Sequence, residues 1–174
     1  MKKLEKNSHL YLMIAFIVMA LLFYSSSQTY TQQSLVSPLD HLLKHHPFEK
    51  QLQGICFQYD ENEVSIQAKG YIKFIEFFIR KGAHYGLYFI LGGSWFLGLL
   101  PKIKSILLTG IISWLSATGY AGLDEFHQMI TGDRTPSFQD VMLDSIGALT
   151  AVAIGCHRSM LFFFKGKQIK SRII

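Results

Sequence analysis

Between Lys81 and Lys102 the chain carries no charged side chain, and the same holds between Lys104 and Asp124. A helix rising about 1.5 Å per residue needs about 20 apolar residues to cross a hydrocarbon layer about 30 Å thick, and each interval meets that length. A further segment runs from His9 to about Ser27 around an unbroken apolar core, Leu10 to Phe23. The last, Phe138 to Phe164, is long enough but contains Asp140, Asp144 and Arg158. Only 17% of the 174 residues are charged and 49% are apolar, whereas a soluble domain averages about 25% charged. The expectation is an all-α integral membrane protein, a four-helix transmembrane bundle, and the composition argues against a free-standing soluble enzyme.

Orientation follows from the placement of Lys and Arg near helix ends and in short loops. Lys2, Lys3 and Lys6, then Lys102 and Lys104, then Lys165, Lys167, Lys170 and Arg172 all fall on one side. This predicts a multi-pass protein of the cell membrane with both termini cytoplasmic; Arg80 and Lys81, at the outer edge of the second span, dissent. A secretory leader also begins with lysines before an apolar run, but no A-x-A site follows Ser25 to Ser27, so the first span is expected to remain as an anchor. The expected layout is a cytoplasmic start and first span (1–27), an extracytoplasmic segment (28–81), a three-helix core (82–164) and a basic tail (165–174). Cys56 and Cys156 fall on opposite sides, so no internal disulfide is expected.

Within the outer segment, Ser34 to Lys50 reads as a short helix starting near Ser37 and Pro38. Ile55 to Tyr59 and Val64 to Gln67 flank the polar turn Asp60 to Glu63 as a small hairpin. Tyr71, Phe74, Ile75 and Phe78 recur at helical spacing, the pattern of an interfacial helix leading into the second span.

Polar residues inside the spans carry the functional argument. Arg80, His84 and Tyr88 share one helix face at i, i+4 spacing. Ser113, Ala117, Ala121, Asp124 and Gln128 form one stripe, and Asp140, Asp144, Ala148, Ala151 and Gly155 another. Small residues let helices approach closely, so these stripes face other helices. The topology brings their polar ends to the same outer side, with Lys81, Glu125 and Arg134 beside them. Asp144 and Arg158 lie about 21 Å apart along a helix, so both cannot lie outside a core about 30 Å thick. Arg158 can snorkel; Asp144 cannot, and a carboxylate at depth costs about 2.5–3.5 kcal/mol. It needs a cation, a proton or water, and Arg80 and Arg134 are candidate partners.

Plainer readings stand beside these. Ser137 and Asp140 form S-x-x-D, a capping pattern sufficient to start a helix. Asp124 and Glu125 read also as solvated helix-end charges, His84 as an interfacial histidine, and Arg134 as a lipid-phosphate contact; the role of His127 is open.

The run Arg80-Lys81-Gly82-Ala83-His84-Tyr85-Gly86-Leu87-Tyr88 resembles the R-K-x-x-H-x-x-x-Y block of VanZ-like membrane proteins. Asp124-Glu125-Phe126-His127-Gln128 is similar to their D-E-x-x-Q block, followed by Arg134 and the acidic helix start Asp140 to Gly147. Ser26 to Gln28 is similar to the family's S-S-Q, and the resemblance extends over roughly residues 72–155. An amide is frequent after the last acidic position in such proteins, where Ser145 stands here. The resemblance implies a cell-envelope accessory protein, in a family named for a factor associated with reduced teicoplanin susceptibility.

Two functions are therefore expected to compete. As an accessory protein, the chain would bind an anionic envelope ligand, such as a lipid-linked cell-wall precursor or a phospholipid headgroup, through Arg80, Lys81, His84 and Arg134. Tyr88, Asp124, Glu125, Gln128, Asp140 and Asp144 would complete that site. As an enzyme, it would act on a lipid-linked substrate with His84 as acid or base and Asp124, Glu125 and Asp144 as partners. There is no H-E-x-x-H, G-x-S-x-G, P-loop or C-x-x-C, so no metal or cofactor is expected. The basic residues sit at membrane edges without a nucleic-acid motif, so nucleic acid is not an expected partner.

Overall fold

The computed structural model describes residues 2–131 and 135–171. The chain begins with α1 (Lys2–Ser26), followed by three short helices, α2 (Tyr30–Gln33), α3 (Val36–Leu42) and α4 (Glu49–Leu52). A hairpin of β1 (Cys56–Tyr59) and β2 (Asn62–Ser65) precedes α5 (Ile66–Lys69), and three long helices complete the chain: α6 (Tyr71–Ile103), α7 (Ile106–Thr131) and α8 (Phe138–Ser171). Among the described residues, α1, α6, α7 and α8 are the helices long and apolar enough to cross a membrane. The fold is an all-α four-helix membrane bundle.

Helix α6 is the centre of the bundle and packs on α8, α1 and α7, while α7 also packs on α8 and α1. The shared core is formed by Ala15, Val18 and Leu22 of α1, Tyr88 and Leu91 of α6, Ala117 and Ala121 of α7, and Ala148 of α8. Large apolar side chains such as Phe16, Leu107, Leu115, Leu123 and Ile146 point outward and are exposed. Small and polar residues inside with bulky apolar ones outside is the arrangement a lipid solvent permits. The backbones of α6 and α8 approach closely. A Cβ at Gly147 would stand 2.6 Å from the Tyr85 carbonyl oxygen, and one at Gly92 would stand 2.7 Å from that of Ala148. Neither position can take a larger residue without separating the helices.

The two smallest expected elements differ in detail. The first strand of the hairpin falls where the sequence places it, but the second begins at Asn62 and ends at Ser65. Ser65 ends it because its Oγ accepts the Ala68 amide at 3.0 Å and caps α5. Asp60 and Glu61 both take positive φ, 53° and 61°, as a tight two-residue hairpin turn requires. In the Ser34 to Lys50 region the helix is α3, with Pro38 in its first turn, where a missing amide is harmless.

The expected interfacial helix is corrected. Tyr71 to Phe78 is the first part of α6, which runs unbroken to Ile103. Nothing between Phe78 and Lys81 stops a helix, and Pro101 lies only in its last turn. The apolar face of this part is also covered: Tyr71 and Phe74 are buried against Val64 and Ile66. The hairpin thus occupies the place that the pattern alone assigns to lipid. Cys56 is exposed on β1 and Cys156 is half-buried on α8; both are free.

Candidate functional site

The start of α6, the end of α7 and the start of α8 meet at one end of the bundle, and the hairpin closes over them. Together they enclose a cavity of about 500 Å³. Its lining includes Tyr59 and Asn62 of the hairpin, Lys69, Lys73, Glu76, Arg80, Lys81 and His84, and Glu125, Gln128, Ser137 and Asp140 from the other two helices.

Asp140 is the hub of one wall. The Tyr59 hydroxyl donates to its Oδ1 at 2.5 Å, and the Lys81 ammonium donates to the same oxygen. Lys81 also lies 4.8 Å above the Tyr59 ring. Burial, followed by the Asp140 hydrogen bond and charge, pushes the Tyr59 hydroxyl above the usual tyrosine range, so it stays a donor. A second tie docks the hairpin on α8: the Asp60 amide donates to Gln139 Oε1 at 2.7 Å.

The helix start itself is capped from two sides. The Asp140 amide donates to Ser137 Oγ at 3.3 Å, as the sequence pattern suggests. The reciprocal carboxylate, however, is not Asp140, which is turned to Tyr59 and Lys81. It is Glu125 of α7, whose Oε2 accepts the Ser137 amide at 3.0 Å in a buried setting. A helix N-terminus favours a carboxylate, and here a neighbouring helix supplies it.

Behind the cavity lies a buried acidic layer. His84 Nδ1 stands 3.4 Å from Asp144 Oδ2, with the imidazole half-buried and the carboxylate only 2% exposed. Asp144 therefore pairs with His84 rather than with Arg80, and His84 is the one of the two that lines the cavity. Asp124 accepts from Gln128 Nε2 at 3.2 Å. Among the described residues, Tyr88 Oη, Asp124 Oδ1 and Asp144 Oδ1 are buried without a hydrogen-bond partner. Such atoms are costly to keep dry.

The Arg80 guanidinium donates to Gln33 Oε1 at 3.1 Å, and Gln33 in turn donates to Ser25 at the end of α1. Glu76 is buried and accepts the Leu35 amide at 2.6 Å. His127 belongs to the same seam: it stacks on Phe23 with ring centroids 4.3 Å apart and sits 2.7 Å from Ser26 Oγ. Thr131 Oγ1 donates to the Ser26 carbonyl at 2.9 Å.

The structure thus brings Arg80, Lys81, His84, Glu125, Gln128 and Asp140 to the cavity and sets Tyr88, Asp124 and Asp144 behind it. Arg134 lies outside the described residues. The sequence reading did not single out Tyr59, Gln33, Glu76, Lys69 or Lys73. Glu76 had a signal, since it precedes Arg80 and His84 on the same i, i+4 stripe. Tyr59 had none, because its partner lies 81 residues away. Among the described residues, no three His, Cys, Asp or Glu side chains are grouped to hold a metal ion.

A four-helix membrane bundle with a charged cavity at one end, backed by buried acids, defines a class of multi-pass membrane protein. The VanZ/LLP1 family model matches residues 11–162, and the chain belongs to this family. Comparison with curated proteins and with solved structures finds no match.

Proposed function

We propose that the cavity is an anion-binding site on the outer face of the cell membrane and that the protein acts as an envelope accessory factor rather than an enzyme. Both termini then lie in the cytoplasm. The supporting observation is the charge distribution around the cavity. Lys81 is neutralised by Asp140, whereas Lys69 and Lys73 line the same space and make no ion pair among the described residues. A volume of about 500 Å³ suits a phosphate- or carboxylate-bearing headgroup, within the usual range of about 300–1,000 Å³ for ligand sites. Asp140 holds Lys81 and Asp144 holds His84 at the lining, and the ligand is an anionic lipid-linked cell-wall precursor or phospholipid headgroup. An effect on glycopeptide susceptibility would follow from occupancy of that ligand.

The His84–Asp144 pair favours a second reading. A carboxylate on Nδ1 holds the ring and leaves Nε2 as the remaining nitrogen for proton transfer to a lipid-linked substrate. His84→Gln separates the two: it keeps hydrogen bonding and removes proton transfer. Lipids retained by the purified protein are identified by mass spectrometry, and the same lipids are offered as substrates. The binding reading expects selective retention, weakened in Lys73→Gln and partly preserved in His84→Gln, with no conversion. Turnover that vanishes in His84→Gln replaces it with the enzyme reading.

A further inference from the structure

The other end of the bundle holds a second cavity, about 720 Å³, in a groove between α6 and α8. Its walls are apolar. Gly93 of α6 and Ala151 and Gly155 of α8 keep the floor of the groove low, and the Phe96 ring lies against Gly155. At its mouth the lining changes character: Lys104, just past the end of α6, and Arg158 of α8 both border the cavity, and both are exposed. Neither makes an ion pair among the described residues.

The dimensions fit one kind of occupant. From Gly93 to Lys104 the α6 wall runs about 16 Å at 1.5 Å per residue, close to half of a hydrocarbon core about 30 Å thick. The groove therefore has the length of one leaflet, with apolar walls along it and two cations in its lining at one end. We propose that this groove is a binding site for a single anionic phospholipid, with an acyl chain along Gly93, Ala151 and Gly155 and the phosphate held by Lys104 and Arg158. Two cations on one phosphate would give the charge-assisted contacts that distinguish an anionic lipid from a zwitterionic one. Charge complementarity at the mouth is what separates this groove from the plain apolar flanks of the bundle. The site is independent of the polar cavity at the opposite end.

The test uses the full-length protein in detergent, titrated with phosphatidylglycerol or phosphatidylcholine of identical chains and read by native mass spectrometry. The wild type is expected to retain phosphatidylglycerol on the order of thirtyfold more tightly, given about 1 kcal/mol for each of the two basic residues near a headgroup. Lys104→Gln with Arg158→Gln should remove this preference from one bound lipid. These two positions are exposed, so the double variant should fold. Gly93→Leu fills the groove; a Cβ there meets only the Ala151 Cβ, at 3.5 Å, an ordinary contact. It should weaken both lipids. Equal binding of the two lipids by the wild type, or undiminished selectivity in the double variant, would overturn the proposal. The drop in phosphatidylglycerol retention caused by the double variant should be the same size in an Asp144→Asn background, which lowers retention at the polar cavity alone.

Discussion

Gly147 sets how near the imidazole of His84 comes to the carboxylate of Asp144, because it lies against the backbone of Tyr85, next to His84 on α6. A methyl at Gly147 would stand 2.6 Å from that carbonyl oxygen, so α6 and α8 must separate. Gly147→Ala is therefore expected to cost about 1–3 kcal/mol, the usual penalty of overpacking, and to lengthen the His84–Asp144 contact. Thermal unfolding in detergent measures the first effect and the histidine ring nitrogen shifts the second; an unchanged melting point would refute the close crossing. Asp144→Asn should behave differently: it removes a buried charge at nearly constant size, so insertion and folding should persist while ligand retention at the polar cavity falls. Tyr59 adds a dependence on pH. Its hydroxyl titrates above the ordinary value near 10, through burial and then Asp140, so the folded state holds this proton more tightly than the unfolded chain. The stabilisation is complete below pH 10 and is lost only as pH rises toward the folded value. The phenolate absorbance of wild type minus Tyr59→Phe should accordingly show no increment at pH 10, where an exposed tyrosine would be half ionised.

At the scale of the element, the continuity of α6 is the main finding that separates structure from sequence pattern. Tyr71, Phe74 and Phe78 recur with the same period whether lipid or protein covers them, and the hairpin lies too far along a separate logic of turns for the pattern to reveal it. Two outcomes follow for a proline at Ile79, which is exposed in the middle of the first half of α6. In a continuous helix, Ile79→Pro removes an internal hydrogen bond and clashes with the preceding turn, costing about 3 kcal/mol or more. At a joint between an interfacial helix and a span it would be tolerated. The spans themselves were legible because length without charge has few other uses. The polar stripes were legible because each lies on one helix at i, i+4 spacing. Contacts between a loop and a distant helix, such as Tyr59 with Asp140 or Gln33 with Arg80, follow no such period and needed coordinates. The capping pattern at Ser137 was read correctly as a helix start, but its acid comes from α7, which local spacing cannot show.

For the whole molecule, the proposed orientation rests on where the lysines lie, and the structure offers a native reporter for it. Cys56 is exposed on β1, the strand that also carries Tyr59. In a Cys156→Ala background it should react with a membrane-impermeant maleimide in intact cells, whereas a cysteine placed at Gln168 with Cys56 removed should react only after lysis. The reverse pattern would move the polar cavity to the cytoplasm and remove the envelope reading with it.

The hairpin is fastened to Asp140 and Gln139, side chains that a ribosome adds about eighty residues after Tyr59. During synthesis the segment between α1 and α6 must therefore wait, with its tyrosine and its turn undocked, until the last helix is made. A chain halted after α7 should leave that segment open to added protease, and completion of α8 should close it. Maturation of the cavity would then be a late event in biogenesis, timed by the arrival of the final span rather than by the folding of the outer segment itself.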